Sequence, residues 1–152
     1  VFNRSPDARR AVTARAAAIR QGEINITTPL SRWFQDTPEQ HSAREKVAQW
    51  LQSVNRQGYA TAYTAFAEGD AMYSNDLQHI TCPLLAITGS DDPNSTPAMS
   101  QAIAEQVTNG EAVIVDGHRH MINITAPERV NAELTRWLQK PVNVTNHHGE
   151  HP

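Results

Sequence analysis

"CPLLAITGSDDPNSTPAMSQAIAEQVTNGEAVIVDGHRHM", residues 82–121, decides how this chain folds. It holds two short, nearly continuous apolar runs, "CPLLAITG" and "EAVIVDG", each closed by glycine. Runs of that length, apolar on both faces, suit strands buried in a parallel sheet; a half-exposed antiparallel strand would alternate instead. Between them, "TPAMSQAIAEQV" sets Met99, Ile103 and Val107 at four-residue intervals, the stripe of an amphipathic helix. Strand, helix and strand in that order make one parallel crossover. Further on, "APERVNAELTRWL" predicts a last helix burying Val130, Leu134, Trp137 and Leu138.

Upstream the texture is helical. Ser5-Pro6, Thr28-Pro29, Thr37-Pro38 and Thr96-Pro97 each place a hydroxyl just before proline, and Thr125-Ala126-Pro127 is a looser version. A hydroxyl at the N-cap accepts from an orphan N–H of the first turn, and proline at the first helical position sacrifices no bond. Thr37 and Gln40 also have capping-box spacing. Helices are expected over residues 6–21, 29–34, 38–54 and 59–67. The third carries Val47, Trp50, Leu51 and Val54 on one stripe, and the fourth carries Tyr59, Tyr63 and Phe66 on one face. The fold class is therefore α/β. Residues 1–70 form a helical layer, residues 71–140 form strand–helix–strand–helix, and residues 141–152 form a loose polar tail whose His147, His148 and His151 lack any periodic frame.

Composition narrows the possibilities. At 152 residues the chain can bury one core. A net charge of −3 with interspersed signs leaves no basic stripe for nucleic acid. No apolar run approaches the roughly 20 residues of a membrane helix. One cysteine, Cys82, forms no internal disulfide, in keeping with a reducing, cytoplasmic compartment; preceding a proline at the start of a strand, it reads as a small core residue. The chain opens at "VFNRSPDARR", with neither an initiator methionine nor a secretory leader, so it is expected to be the C-terminal portion of something longer.

Functional groups in a parallel sheet gather beyond the C-terminal ends of the strands. The first strand exits into "GSDDPNST", with Asp91 and Asp92; the second exits into "DGHRHM", with His118 and His120. Because one crossover joins the strands, both exits share one rim, where a carboxylate can orient an imidazole for general-base work. Two other readings fit the same residues. Aspartate favours turns and caps for conformational reasons alone, and loop histidines are commonly just solvated. A metal site would need His118, His120 and an aspartate to converge, although alternate residues share a side only in extended backbone.

The pattern "ITCPLLAITGSDD", a helix, a strand, "GHRHM", "APE" and a terminal amphipathic helix resembles the closing third of an α/β-hydrolase. In that family the triad acid follows the next-to-last core strand in a G-x-x-D setting, which the resemblance carries to Asp92. The triad histidine follows the last strand in a G-x-x-H setting, which carries to His120 and leaves His118 at a variable position. "ARAAAIRQG", "SRWF" and "GYATAYTAFAEGD" are similar to the cap of enol-lactonase-like members. The resemblance implies hydrolysis of a small ester or lactone without a cofactor or metal, with Trp33, Phe34 and Tyr63, beside Tyr59 and Phe66, shaping the substrate pocket. Plain cap-to-core packing accounts for those aromatics equally well.

The family's nucleophile sits in a G-x-S-x-G elbow upstream of the cap, and no such motif occurs here. Ser90 lies in the acid's own turn, where it is expected to support the turn. The chain is thus expected to be inactive by itself and to need a partner: the N-terminal half of the core, in the same polypeptide or a second chain. Alone, it is expected to self-associate through uncovered apolar surface. Two alternatives stay open. One keeps the fold but changes the reaction to C–C hydrolysis, lyase or haloperoxidase-like chemistry; the other is a non-catalytic binding fragment.

Overall fold

The computed structural model describes residues 4–69 and 71–141. The expectation for the tail, with its histidines, lies outside the described residues. Four helices come first: α1 (Pro6–Arg20), α2 (Thr27–Trp33), α3 (Pro38–Ser53) and α4 (Arg56–Glu68). A 3-10 turn (Leu77–His79) leads into β1 (Leu84–Gly89), α5 (Pro97–Gln106), β2 (Gly110–Val115), the short α6 (Ile122–Thr125) and α7 (Pro127–Leu138).

Two helix starts follow the hydroxyl-proline rule in full. Ser5 accepts from the Ala8 N–H at 3.3 Å, and Thr96 from the Met99 N–H at 3.4 Å. Two starts differ. Asn25, three residues before Thr28, accepts its N–H at 3.1 Å, so α2 begins earlier than the proline suggested. Thr37 makes no cap bond, and Gln40 turns away to pair with Gln35, so the capping box does not form. Gly22, just past α1, adopts the left-handed φ of 92° that ends the helix there.

α1 and α4 pack through small side chains, with Ala16 and Ile19 buried on one and Ala60, Thr64 and Ala67 on the other. The i, i+4, i+7 spacing of the latter three lines one face of α4. A second helical core joins α2 to α3. Leu30, Phe34 and Val47 are buried there, and Met121 and Ile124 from beyond β2 reach into it. Phe34, 2% exposed, is the largest fully buried side chain among the described residues.

β1 and β2 pair in parallel, Leu84 opposite Gly110 through Gly89 opposite Val115. α5 packs on both strands, while Val130 of α7 joins Val115, Ile122 and Ile87 in a separate cluster. Glu111 at the head of β2 accepts from Arg136 and Lys140; those bonds, Arg136's foremost, hold its carboxyl below the usual range.

Burial departs from expectation in one consistent way. Residues 84–87 and 110–114 are only half-buried, and burial is complete only at the C-terminal ends of the strands. Leu134 and Leu138 of α7 are exposed rather than buried, as is Trp50 on α3, whose ring lies beneath the Lys46 ammonium instead of in the stripe. Cys82 is also exposed, not a core residue. Two strands among the described residues cannot cover both sheet faces, so apolar positions patterned for burial meet solvent. No helix of the described residues is long and apolar enough to cross a membrane.

Phe34→Ala should cost about 3–5 kcal/mol in urea unfolding, through the cavity it leaves between α2 and α3. Trp50→Ala, on the same helical layer but half in solvent, should stay within about 0.5 kcal/mol.

Candidate active site

The rim of the sheet is assembled by close backbone approach. A Cβ on Gly89 would lie 2.1 Å from the His118 carbonyl oxygen and 2.6 Å from that of Arg119, so only glycine lets the two loops touch. Across this contact the Asp91 N–H donates to the His118 carbonyl at 3.0 Å and the Ser90 N–H to the Val115 carbonyl at 2.9 Å. Gly117 takes a left-handed φ of 70° and turns the chain back after β2. Its N–H donates to Ser90 Oγ at 2.9 Å, while the Ser90 hydroxyl donates to Asp91 Oδ1 at 3.0 Å. With its proton and a lone pair both committed, Ser90 holds the turn together.

Asp92 and His120 meet at this rim. His120 Nδ1 lies 2.7 Å from Asp92 Oδ2, and the Asp92 side chain is 3% exposed against 33% for the histidine. The other carboxylate oxygen accepts from the N–H groups of Asn94 at 2.7 Å and Ser95 at 3.0 Å. A buried carboxylate that accepts three hydrogen bonds is fixed in place. Thr88, buried beneath it, donates to the Ser95 carbonyl at 2.6 Å and shapes the loop. Because an ionised carboxylate only accepts, Nδ1 must carry the proton. Nε2 is left with its lone pair and forms no hydrogen bond among the described residues. The pair has the arrangement that general-base chemistry requires: a carboxylate on one ring nitrogen and a lone pair on the other.

The second histidine has other work. Thr125 donates its hydroxyl proton to the Met121 carbonyl at 3.2 Å, so it can only accept from His118 Nδ1, 3.0 Å away. His118 thereby braces the turn that carries His120. Asp91 also stays out of the pair: its Oδ2 accepts from Gln35 Nε2 at 2.9 Å. The described residues contain no group of three metal-ligating side chains.

The aromatics separate. The Trp33 ring lies against that of His120, centroids 5.9 Å apart and planes 30° off parallel. Phe34 points into the α2–α3 core instead. Tyr63 sits on α4 between Tyr59 and Phe66, with ring centroids 6.1 and 5.7 Å away. Sequence reasoning missed Thr88, Gln35, Arg32 and Arg119, all of which hold the loops. Arg119 lies inside "GHRHM", Arg32 and Gln35 flank Trp33 and Phe34, and Thr88 lies just before "GSDD", yet none carries a signal of its own.

No family model matches the chain. It is 47% identical over 139 residues to the (E)-2-((N-methylformamido)methylene)succinate hydrolase of Acinetobacter baylyi, covering 91% of this chain and 53% of that protein. To 3-oxoadipate enol-lactonase 2 of the same organism it is 33% identical over 134 residues, covering 84% of the chain and 48% of the relative. Among solved structures, a thermophilic esterase from Thermogutta terrifontis superposes with a TM-score of 0.76 at 25% identity, over 90% of this chain and 52% of that one. The chain belongs to the α/β-hydrolase fold family, with the architecture of the helical cap and the C-terminal part of the core. It spans about half the length of the curated relatives it matches.

Gly89→Ala should separate the two loops. The expected result is a large loss of unfolding free energy and disappearance of the low-field proton resonance of the His120 Nδ1–H bonded to Asp92. Gly117→Ala meets no neighbour within 4 Å and carries only left-handed backbone strain, about 1–2 kcal/mol, with that resonance retained.

Proposed function

We propose that this chain supplies the acid and the base of a Ser-His-Asp triad that hydrolyses a small ester or lactone. The observation that carries the reading is the 2.7 Å contact between His120 Nδ1 and a buried Asp92 that two backbone N–H groups hold in place. In this mechanism Asp92 fixes the tautomer and stabilises the imidazolium. His120 Nε2 takes the proton of a serine hydroxyl as it attacks the acyl carbon, and returns it to the leaving group. A water, activated by the same nitrogen, then releases the acyl group. The serine and the oxyanion-binding N–H groups come from a strand–elbow–helix unit outside these residues, in the same polypeptide or a second chain. That unit would cover the half-buried strands, and a cytoplasmic setting suits the exposed single thiol.

Both similar Acinetobacter proteins are named for small carboxylate-bearing substrates, a succinate derivative and an enol-lactone of 3-oxoadipate. We extend that class to this chain: a small acyl compound carrying at least one carboxylate. Among the aromatics, Trp33 forms the wall beside His120, Phe34 sets the position of α2 from below, and Tyr63 lines the outer cap.

His120→Ala in the complete protein should abolish hydrolysis of a p-nitrophenyl ester, by a factor on the order of 10⁶ in kcat, and Asp92→Asn should lower it by roughly 10⁴. His118→Ala should largely spare the rate. The reverse ranking of the two histidines would overturn the assignment. Residues 1–152 alone should show no turnover above buffer.

A further inference from the structure

Three side chains bridge the cap segment of residues 31–35 to the two loops that carry Asp92 and His120. Arg119 donates through Nη1 to the carbonyls of Ser31 at 2.7 Å and Phe34 at 3.1 Å, the exposed end of α2. Arg32 reaches the opposite way, Nε to Asn94 Oδ1 at 2.7 Å and Nη2 to the Pro93 carbonyl at 3.1 Å. Gln35 donates from Nε2 to Asp91 Oδ2, its amide held in that orientation because Oε1 accepts from Gln40 Nε2 at 3.3 Å. Trp33 lies in the middle of this clamp, its ring on His120.

The chemistry of the bonds makes Arg119 the one that matters most. Guanidinium donors on helix-end carbonyls are charge-assisted and oppose the negative end of the helix. Both acceptors are backbone, so no change in a cap side chain can remove them. Arg119 also directly precedes His120, with its own carbonyl against Gly89. A displacement of α2 therefore moves Trp33 against His120, whose own bond to Asp92 does not involve α2.

We infer that Arg119 is a positioning residue: by holding the end of α2, it sets how closely Trp33 covers His120, and so how much room the substrate has beside the base. Arg32 and Gln35 hold the same segment from the acid loop. For substrate binding this rests on the hydrolase reading; for the placement of Trp33 it does not.

The test uses the complete protein labelled with 5-fluorotryptophan, the Trp33 resonance being identified by its absence in Trp33→Phe. Arg119→Ala should shift and broaden the Trp33 line while leaving those of Trp50 and Trp137 in place. Arg119→Lys, which keeps the charge but lacks the fork, should restore the line only in part, and Arg32→Ala should move it less. With p-nitrophenyl acetate, kcat/KM should fall by roughly tenfold to a hundredfold in Arg119→Ala, mainly through KM, because the Asp92–His120 pair is untouched. An unmoved Trp33 line in Arg119→Ala overturns the inference whatever the rate. So does a fall confined to kcat, which would mark loss of folded enzyme. If the unaltered protein hydrolyses no ester yet the line still moves, the hydrolase reading fails and the positioning role stands.

Discussion

The space beside Gly89 is where this structure is decided. Two carbonyl oxygens from the histidine loop fill the volume a methyl group would need. That contact brings the Asp91 N–H onto the His118 carbonyl and closes the rim of the sheet. Only then does Asp92, three residues on, come within 2.7 Å of an imidazole twenty-eight positions away in the chain. The Asp91 bond to His118 and the Gly117 bond to Ser90 cross between the loops at the same place. A parallel pair of strands delivers both loops to one end, but the missing side chain lets them meet.

The elements that could be read from the sequence are those whose signal is local. Apolar runs closed by glycine marked both strands, and hydroxyl-proline pairs marked helix starts, because capping is settled within a turn. Burial was less legible. Leu134 and Leu138 carry the pattern of a covered face, and the cover is absent from the described residues. Cys82 looked like core for the same reason, since an apolar run does not say which of its members a neighbouring strand will reach. At the site, residue spacing and the family resemblance picked out Asp92 and His120, and their side chains do meet. Gln35 and Arg119 were invisible because their partners lie in distant segments and their residue types are ordinary, and Thr88 reads as one more β-branched member of a strand. The aromatics illustrate the limit well: Trp33 and Phe34 are adjacent, yet a helix end turns one toward the base and the other into the core.

The two histidines show how tautomer and role are fixed by what each ring nitrogen meets. Both have Nδ1 engaged, His120 by a buried carboxylate and His118 by a threonine hydroxyl already spent on a carbonyl. A carboxylate can stabilise a ring that becomes charged, whereas a neutral hydroxyl offers little. The same residue type, two positions apart, is thereby equipped to act as a base in one case and serves as a brace in the other.

Cys82, exposed ahead of β1, lies at the far end of the strand from the rim, about 20 Å away by strand rise. With no other thiol in the sequence, it is a ready attachment point for a spin label or fluorophore. A probe there would report on the surroundings of the start of β1 without touching the rim at its other end.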